Sequence, residues 1–154
     1  MRGRGRWRVR RCTAADAPAV FALIEGAGLP TGDLDPGRLA GFVVAEDADG
    51  LAGVAGIEVA GTAGLLRSVV VAGRVRSGGL GRVLVAAAEA EARRAGLEEL
   101  YLLTTSAPAF FGSLGYETVA RATVPPGVAA LPEFARLCPA SAVCMRKVLG
   151  RGAW

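Results

Sequence analysis

The sequence predicts a mixed α/β fold, one domain built on a sheet of about six to seven strands, and three observations carry that prediction. Residues 65–71 end in the unbroken run Val69-Val70-Val71, and 97–105 form a second apolar segment, as suits central strands covered on both faces. Between them Leu80, Val83, Leu84, Ala87, Ala88 and Ala95 recur at helical spacing, with Arg82, Glu89, Arg93 and Arg94 assigned to the other side. Residues 42–46 and 51–59 flank Asp47-Ala48-Asp49-Gly50, the pattern of an antiparallel hairpin. A crossover helix makes the strands on either side of it parallel and adjacent, so one right-handed βαβ unit lies within the mixed sheet.

The remaining elements follow in order. Residues 7–12 alternate enough for a first strand. Thr13, with Asp16 three residues on, opens a helix to about Gly26 whose buried bulk is Phe21, Leu23 and Ile24. The Gly-, Pro- and Asp-rich stretch 28–35 is a loop of the kind that borders substrate sites, and a short helical turn follows at 38–41. After the strand 97–105, Ser106 is placed as an N-cap and Pro108 in the first turn of a two-turn helix. Ala107, Phe110, Phe111 and Leu114 share one of its faces, and Gly115 ends it. Residues 116–124 are assigned to a further strand, a short helix to 133–137, and the last strand to 142–149.

Composition narrows the function. The 154 residues contain no histidine, which excludes Ser-His and Cys-His catalysis, and three cysteines support neither a disulfide framework nor a Cys/His zinc site. No metal is expected. No apolar run approaches the roughly 18 to 20 residues of a spanning helix, and no secretory signal is apparent, so a cytoplasmic protein without membrane contact is expected. The net charge of +4 rests on six arginines within the first eleven residues, and without them the chain carries −2. Residues 1–6 are read as a flexible basic arm, 7–154 as the domain, and nucleic acid is not an expected partner. The chain is expected to act as a monomer or homodimer.

Chemistry concentrates at Arg76-Ser77-Gly78-Gly79-Leu80-Gly81, beyond a buried strand and at a helix entry. Glycines allow close backbone approach to an anion, and the free N–H groups and positive end of the helix favour negative charge: in outline, a diphosphate cradle. Arg74, Arg76 and Arg82 are placed to add charge-assisted contacts. Neither a Gly-Lys-Ser/Thr ending nor a G-x-G-x-x-G turn is present, which sets aside the two better-known phosphate motifs.

Two segments together resemble the GCN5-related N-acetyltransferase (GNAT) family. Arg76, Gly79 and Gly81 match its R/Q-x-x-G-x-G/A coenzyme A motif, and 107–116, Ala-Pro-Ala-Phe-Phe-Gly-Ser-Leu-Gly-Tyr, is similar to its A-x-x-F-Y-x-x-x-G-F segment. The resemblance implies a three-layer fold with helices on both faces of the sheet and strands 65–71 and 97–105 splayed apart, with acetyl-CoA as cosubstrate and direct transfer to an amine in a ternary complex. It implies cofactor contacts from Val69, Val70, Val71, Arg76, Ser77, Gly78, Gly79, Leu80, Gly81, Arg82 and Phe111, and an oxyanion-stabilising backbone N–H around Ser68 and Val69. Phe111 stands where many members carry a tyrosine that protonates the departing thiolate, leaving that task to water, Tyr116 or Tyr101. Glu58, a carboxylate among small apolar residues, is the first candidate general base and a substrate contact, with pairing to Arg67 as the alternative. Arg67 is placed to grip a substrate carboxylate, and Thr105 is placed beside the substrate.

Within the family, 65–71, 100–105, 134–142 and Cys144-Met145-Arg146-Lys147 resemble the arsenic-resistance N-acetyltransferases, which implies an amine-bearing, amino-acid-like arsenical as substrate. Cys138 and Cys144 are read as small packing residues rather than arsenic ligands. A small-molecule amine leads as acceptor. The alternatives are a protein N-acetyltransferase and a catalytically silent acyl-CoA-binding regulatory domain.

Overall fold

The computed structural model describes residues 2–3, 7–76, 78–137 and 140–150. Its strands are β1 (Arg2–Gly3), β2 (Trp7–Arg11), β3 (Phe42–Asp47), β4 (Gly50–Ala60), β5 (Ala63–Val71), β6 (Glu99–Thr104), β7 (Glu117–Thr118) and β8 (Val143–Val148), in the sheet order β1-β2-β3-β4-β5-β6-β8-β7. The helices are α1 (Ala17–Gly26), α2 (Leu80–Arg94), α3 (Pro108–Ser113) and α4 (Pro126–Ala129), followed by a π-helical turn at Glu133–Leu137. Every pairing is antiparallel except β5 with β6, the two strands that α2 connects.

Side-chain alternation explains the layers. Along β3, Phe42 and Val44 join Val20 and Ile24 of α1 on one face, while Val43 and Ala45 join Leu80, Leu84 and Ala88 of α2 on the other. A third cluster under the C-terminal half combines Leu65, Tyr101, Val128, Phe134 and Cys144. The capping box is present, with Asp16 accepting from the Thr13 N–H at 2.8 Å.

Three local readings are corrected. The helix after β6 is entered through Ala107, whose N–H donates to Thr104 Oγ1 at 3.0 Å, so Thr104 rather than Ser106 supplies the polar group. The strand expected over 116–124 is only Glu117–Thr118, because the chain turns into a 3₁₀ segment at Arg121–Thr123 and sends Val124 into the third cluster. Glu89 is buried, not outward: it accepts from the Tyr116 hydroxyl at 2.9 Å and from Lys147 Nζ at 3.0 Å. In the segment read as a basic arm, Arg2–Gly3 pairs with Trp7 and Arg8. Cys138 lies outside the described residues, and Cys144 is buried.

Candidate active site: a cleft where two parallel strands part

The site begins as a failure of pairing. β5 and β6 are matched only from Ala63 to Leu65 against Glu99 to Tyr101, yet both strands run on, to Val71 and Thr104. β5 is also displaced on its other side. Val54 pairs with Val70 but Gly56 with Arg67, so Ser68 and Val69 oppose the single residue Ala55 in a β-bulge. Ser68 has φ of 57°, the one left-handed non-glycine among the described residues, a conformation that costs roughly 1–2 kcal/mol. The bulge leaves backbone polar groups out of the ladder where the strands separate.

A cleft of about 840 Å³ fills the gap. Its walls are the Ala27, Gly28, Leu29 and Pro30 loop, β5 from Leu66 to Val71, the helix entry, β6 from Leu102 onward with Thr105, and α3 with Phe110 and Phe111. Glu133 and Ala142 close the far side.

The helix entry fits a diphosphate. Gly79 caps α2 with φ of 84°, no side chain caps that end, and the first-turn N–H groups are the unpaired donors that an anion seeks. A Cβ on Gly81 would stand 3.1 Å from the Phe110 ring, so a larger residue would need that ring to give by a few tenths of an ångström. Arg76 and Arg82 line the cleft and are exposed, and Arg82 also donates to Ser113 Oγ at 3.1 Å. Arg74 is committed elsewhere, gripping both Asp47 oxygens at 2.7 and 3.0 Å. Gly78 faces an adjoining recess with Trp7 and Arg76, and Ser77 lies outside the described residues.

At the opposite end the structure reassigns the charged residues. Arg67 is fully buried and four of its five N–H groups are engaged: Nε donates to Ser68 Oγ at 3.1 Å, Nη1 to Asp33 at 2.5 Å and Glu58 at 3.0 Å, and Nη2 to the Pro30 carbonyl at 3.1 Å. Glu133 Oε1 stands 3.5 Å from Nη2. Burial works against the charge, but the Asp33 hydrogen bond, the charge of Glu133 and the Glu58 hydrogen bond outweigh it and raise the pKa of Arg67 above its ordinary value. Arg67, expected to grip a substrate carboxylate, lines the cleft with four of its five N–H donors engaged by the protein. Glu58, the candidate base, is not among the residues lining the cleft and pairs with Arg67.

Tyr116 and Tyr101 do not line the cleft either. Burial, then the Glu89 charge and hydrogen bond, push the Tyr116 hydroxyl far up, and burial with the Glu99 hydrogen bond does the same to Tyr101. Val69, Val70, Val71, Leu80 and Thr105 line the cleft.

Glu133 was missed by the sequence reading. It lies in Leu131-Pro132-Glu133-Phe134, and a carboxylate among apolar residues, the very signal used for Glu58, was there to find. It is 5% exposed, and burial, opposed by Arg67 and reinforced by Asp33 and Glu58, pushes its pKa up to about 7.

A splayed and bulged strand beside a glycine helix entry defines an acyl-CoA-dependent transferase cleft. The model of the acetyltransferase (GNAT) domain matches residues 38–118, more than half of the chain, and the protein belongs to that family, whose acyl donor is acetyl-CoA. No curated protein matches the chain in sequence. Solved structures agree in fold. N-acetylglutamate synthase from Neisseria gonorrhoeae, complexed with coenzyme A and N-acetyl-glutamate, superposes with a TM-score of 0.82 at 22% identity over 94% of this chain. The chain spans only 35% of that protein's length. Rv2747 from Mycobacterium tuberculosis, in complex with CoA and NLQ, gives 0.78 at 22% identity over 92% of this chain and 98% of its own. The ribosomal-protein-S18-alanine N-acetyltransferase from Escherichia coli gives 0.68 at 16% identity over 96% of each.

Proposed function

We propose that this protein transfers the acetyl group of acetyl-CoA directly to the primary amine of a small molecule bound in the same cleft. The observation that carries the reading is the parting of β5 from β6 after three paired residues. It opens one continuous space from an anion-seeking helix entry to a charged, enclosed end. In this reading Arg76, Arg82 and the first turn of α2 hold the diphosphate, and the exposed backbone of β5 at Val69 to Val71 holds the pantetheine arm. A backbone N–H at the Ser68-Val69 bulge meets the developing oxyanion, a contact that pre-positioned donors make worth a few kcal/mol.

Enclosure favours a small acceptor over a protein chain: the 27–30 loop, anchored through Pro30 to Arg67, and Glu133 wall the far end. Two of the similar structures, by their titles, hold CoA together with a small molecule, which supports the same choice. The resemblance to arsenic-resistance enzymes makes an amino-acid-like arsenical the first acceptor to examine. Its carboxylate would have to be met by groups other than Arg67.

The test is thiol release from acetyl-CoA against a panel of arsenical and phosphorus-containing amino acids, glutamate and glutamine, polyamines, aminoglycosides and lysine peptides. Release dependent on one small amine is expected. Tight coenzyme A binding without release for any amine would leave a regulatory acyl-CoA-binding domain instead, and turnover confined to peptides would move the acceptor to a protein.

A further inference from the structure

We propose that Glu133 is the proton acceptor for the acceptor amine, with Arg67 as its positioning residue and Asp33 and Glu58 as the flanking charges that set when it holds a proton. The proposal rests on the acetyltransferase reading above and deepens it.

Position comes first. Glu133 lines the same cleft as Ser68 and Val69, and Arg67 ties it to the bulge: Nε of Arg67 donates to Ser68 Oγ at 3.1 Å while Nη2 stands 3.5 Å from Glu133 Oε1. The three carboxylates of this cluster are not equivalent. Asp33 and Glu58 each accept a hydrogen bond from Arg67 Nη1 and do not line the cleft. Glu133 lines it, and its contact with Arg67 Nη2, at 3.5 Å, is longer than those that Asp33 and Glu58 make with Nη1. It is the member with acceptor capacity to spare on the substrate side.

Charge gives the second argument. Asp33, Glu58 and Glu133 surround one buried guanidinium, with the half-exposed Arg38 reaching Glu58 only at 3.9 Å. The cluster is short of positive charge, and Asp33 Oδ1 is a buried acceptor with no partner among the described residues. Such a group of carboxylates gains by taking up a proton. Burial pushes Glu133 to about 7, Arg67 pulls it down, and Asp33 and Glu58 hold it up, which is where a base acting at neutral pH is most effective.

The proton count closes without an added reagent. The amine enters as an ammonium and gives one proton to Glu133, which frees the nitrogen lone pair. The nitrogen attacks the acetyl carbonyl, the C–N bond forms and the C–S bond breaks, and the second proton on nitrogen passes to the departing thiolate. N-acetylated product and thiol leave, and Glu133 returns its proton to solvent. Phe111 need not donate a proton in this sequence.

The experiment compares wild type, Glu133→Gln and Asp33→Asn across pH with the amine that gives thiol release. Glu133→Gln is expected to lower kcat by about 10²–10⁴ at pH 7 while leaving KM for acetyl-CoA in place. The acid limb with its midpoint near 7 should vanish, and residual activity should climb with pH toward the pKa of the free amine. Asp33→Asn removes a like charge and is expected to move the acid limb to lower pH. Wild-type kcat and pH profile in Glu133→Gln overturn the proposal and leave the acetyltransferase reading standing. Absence of turnover by wild type with every amine overturns both. Should Glu133→Gln fold poorly, carboxyl ¹³C titration of the wild-type protein with acetyl-CoA decides. A glutamate carboxyl titrating near 7 supports the proposal, and titration of every glutamate below pH 5.5 overturns it.

Discussion

Replacing Arg67 with methionine tests the charged end of the cleft without any knowledge of the substrate. Methionine keeps much of the buried stem but supplies none of the donors that reach Ser68, Asp33, Glu58 and Pro30. Breaking a buried ion pair by removing one partner costs about 3–5 kcal/mol, because the opposite charge stays behind unpaired. Three carboxylates stay behind here, so the upper part of that range applies. An unfolding entropy of about 2.1 cal/mol/K per residue gives about 0.3 kcal/mol/K for this chain, and Tm should fall by roughly 12–15 °C at pH 8.

The pH dependence carries the sign. Glu133 binds its proton more tightly in the folded protein than in the unfolded chain, and Arg67 opposes that shift, so removing Arg67 widens it. The penalty is full above the folded value of Glu133 and fades as pH drops toward its unfolded value near 4. Scanning calorimetry at pH 5 and pH 8 should therefore show the larger loss at pH 8. A drop under about 3 °C, or one that is equal at both pH values, would refute the view of Arg67 as the cation that makes this cluster tolerable.

Gly79→Ala places a Cβ at φ of 84°, at a cost of roughly 1–2 kcal/mol, and should weaken coenzyme A binding in titration calorimetry more than it lowers Tm. Phe111→Tyr puts a hydroxyl on a ring that lines the cleft. A rise in kcat of about tenfold or more is expected if thiolate protonation limits the rate, and no change in kcat would show that the departing sulfur needs no acid. Lys147→Met leaves Glu89 buried with only the Tyr116 hydroxyl, and urea denaturation should report a loss of about 2–4 kcal/mol.

What the sequence disclosed follows the reach of the interactions concerned. The loop 76–81 and its helix were legible because glycine conformation and a 3.6-residue period are local facts, and β5 and β6 followed from the helix between them. Glu89 shows how a local rule can be misapplied. Leu80, Leu84, Val85, Ala88, Glu89 and Ala92 form one continuous buried stripe, so the period alone places Glu89 inside, four residues after Val85. Its charge suggested the opposite. The burial depends on Lys147 and Tyr116, 58 and 27 residues away, which the helix cannot reveal.

The charged end of the cleft was less legible for the same reason. Arg67 meets a partner 9 residues away in Glu58 and another 34 away in Asp33, and Glu133 is farther still along the chain. Whether Glu58 faces the cleft or Arg67 hinges on the β4–β5 register, where a slip of one residue exchanges the faces of a strand. The pairing from Gly56–Arg67 to Ala60–Ala63 is unbroken and puts the Glu58 and Arg67 side chains on one face, and the bulge beyond it, at Ser68 and Val69, holds a left-handed serine that no propensity favours. One irregularity thus joins structure to chemistry. It interrupts the strand's own ladder beside the cleft, and it seats Arg67 beside Ser68, while the carboxylate of the cluster that lines the cleft is Glu133.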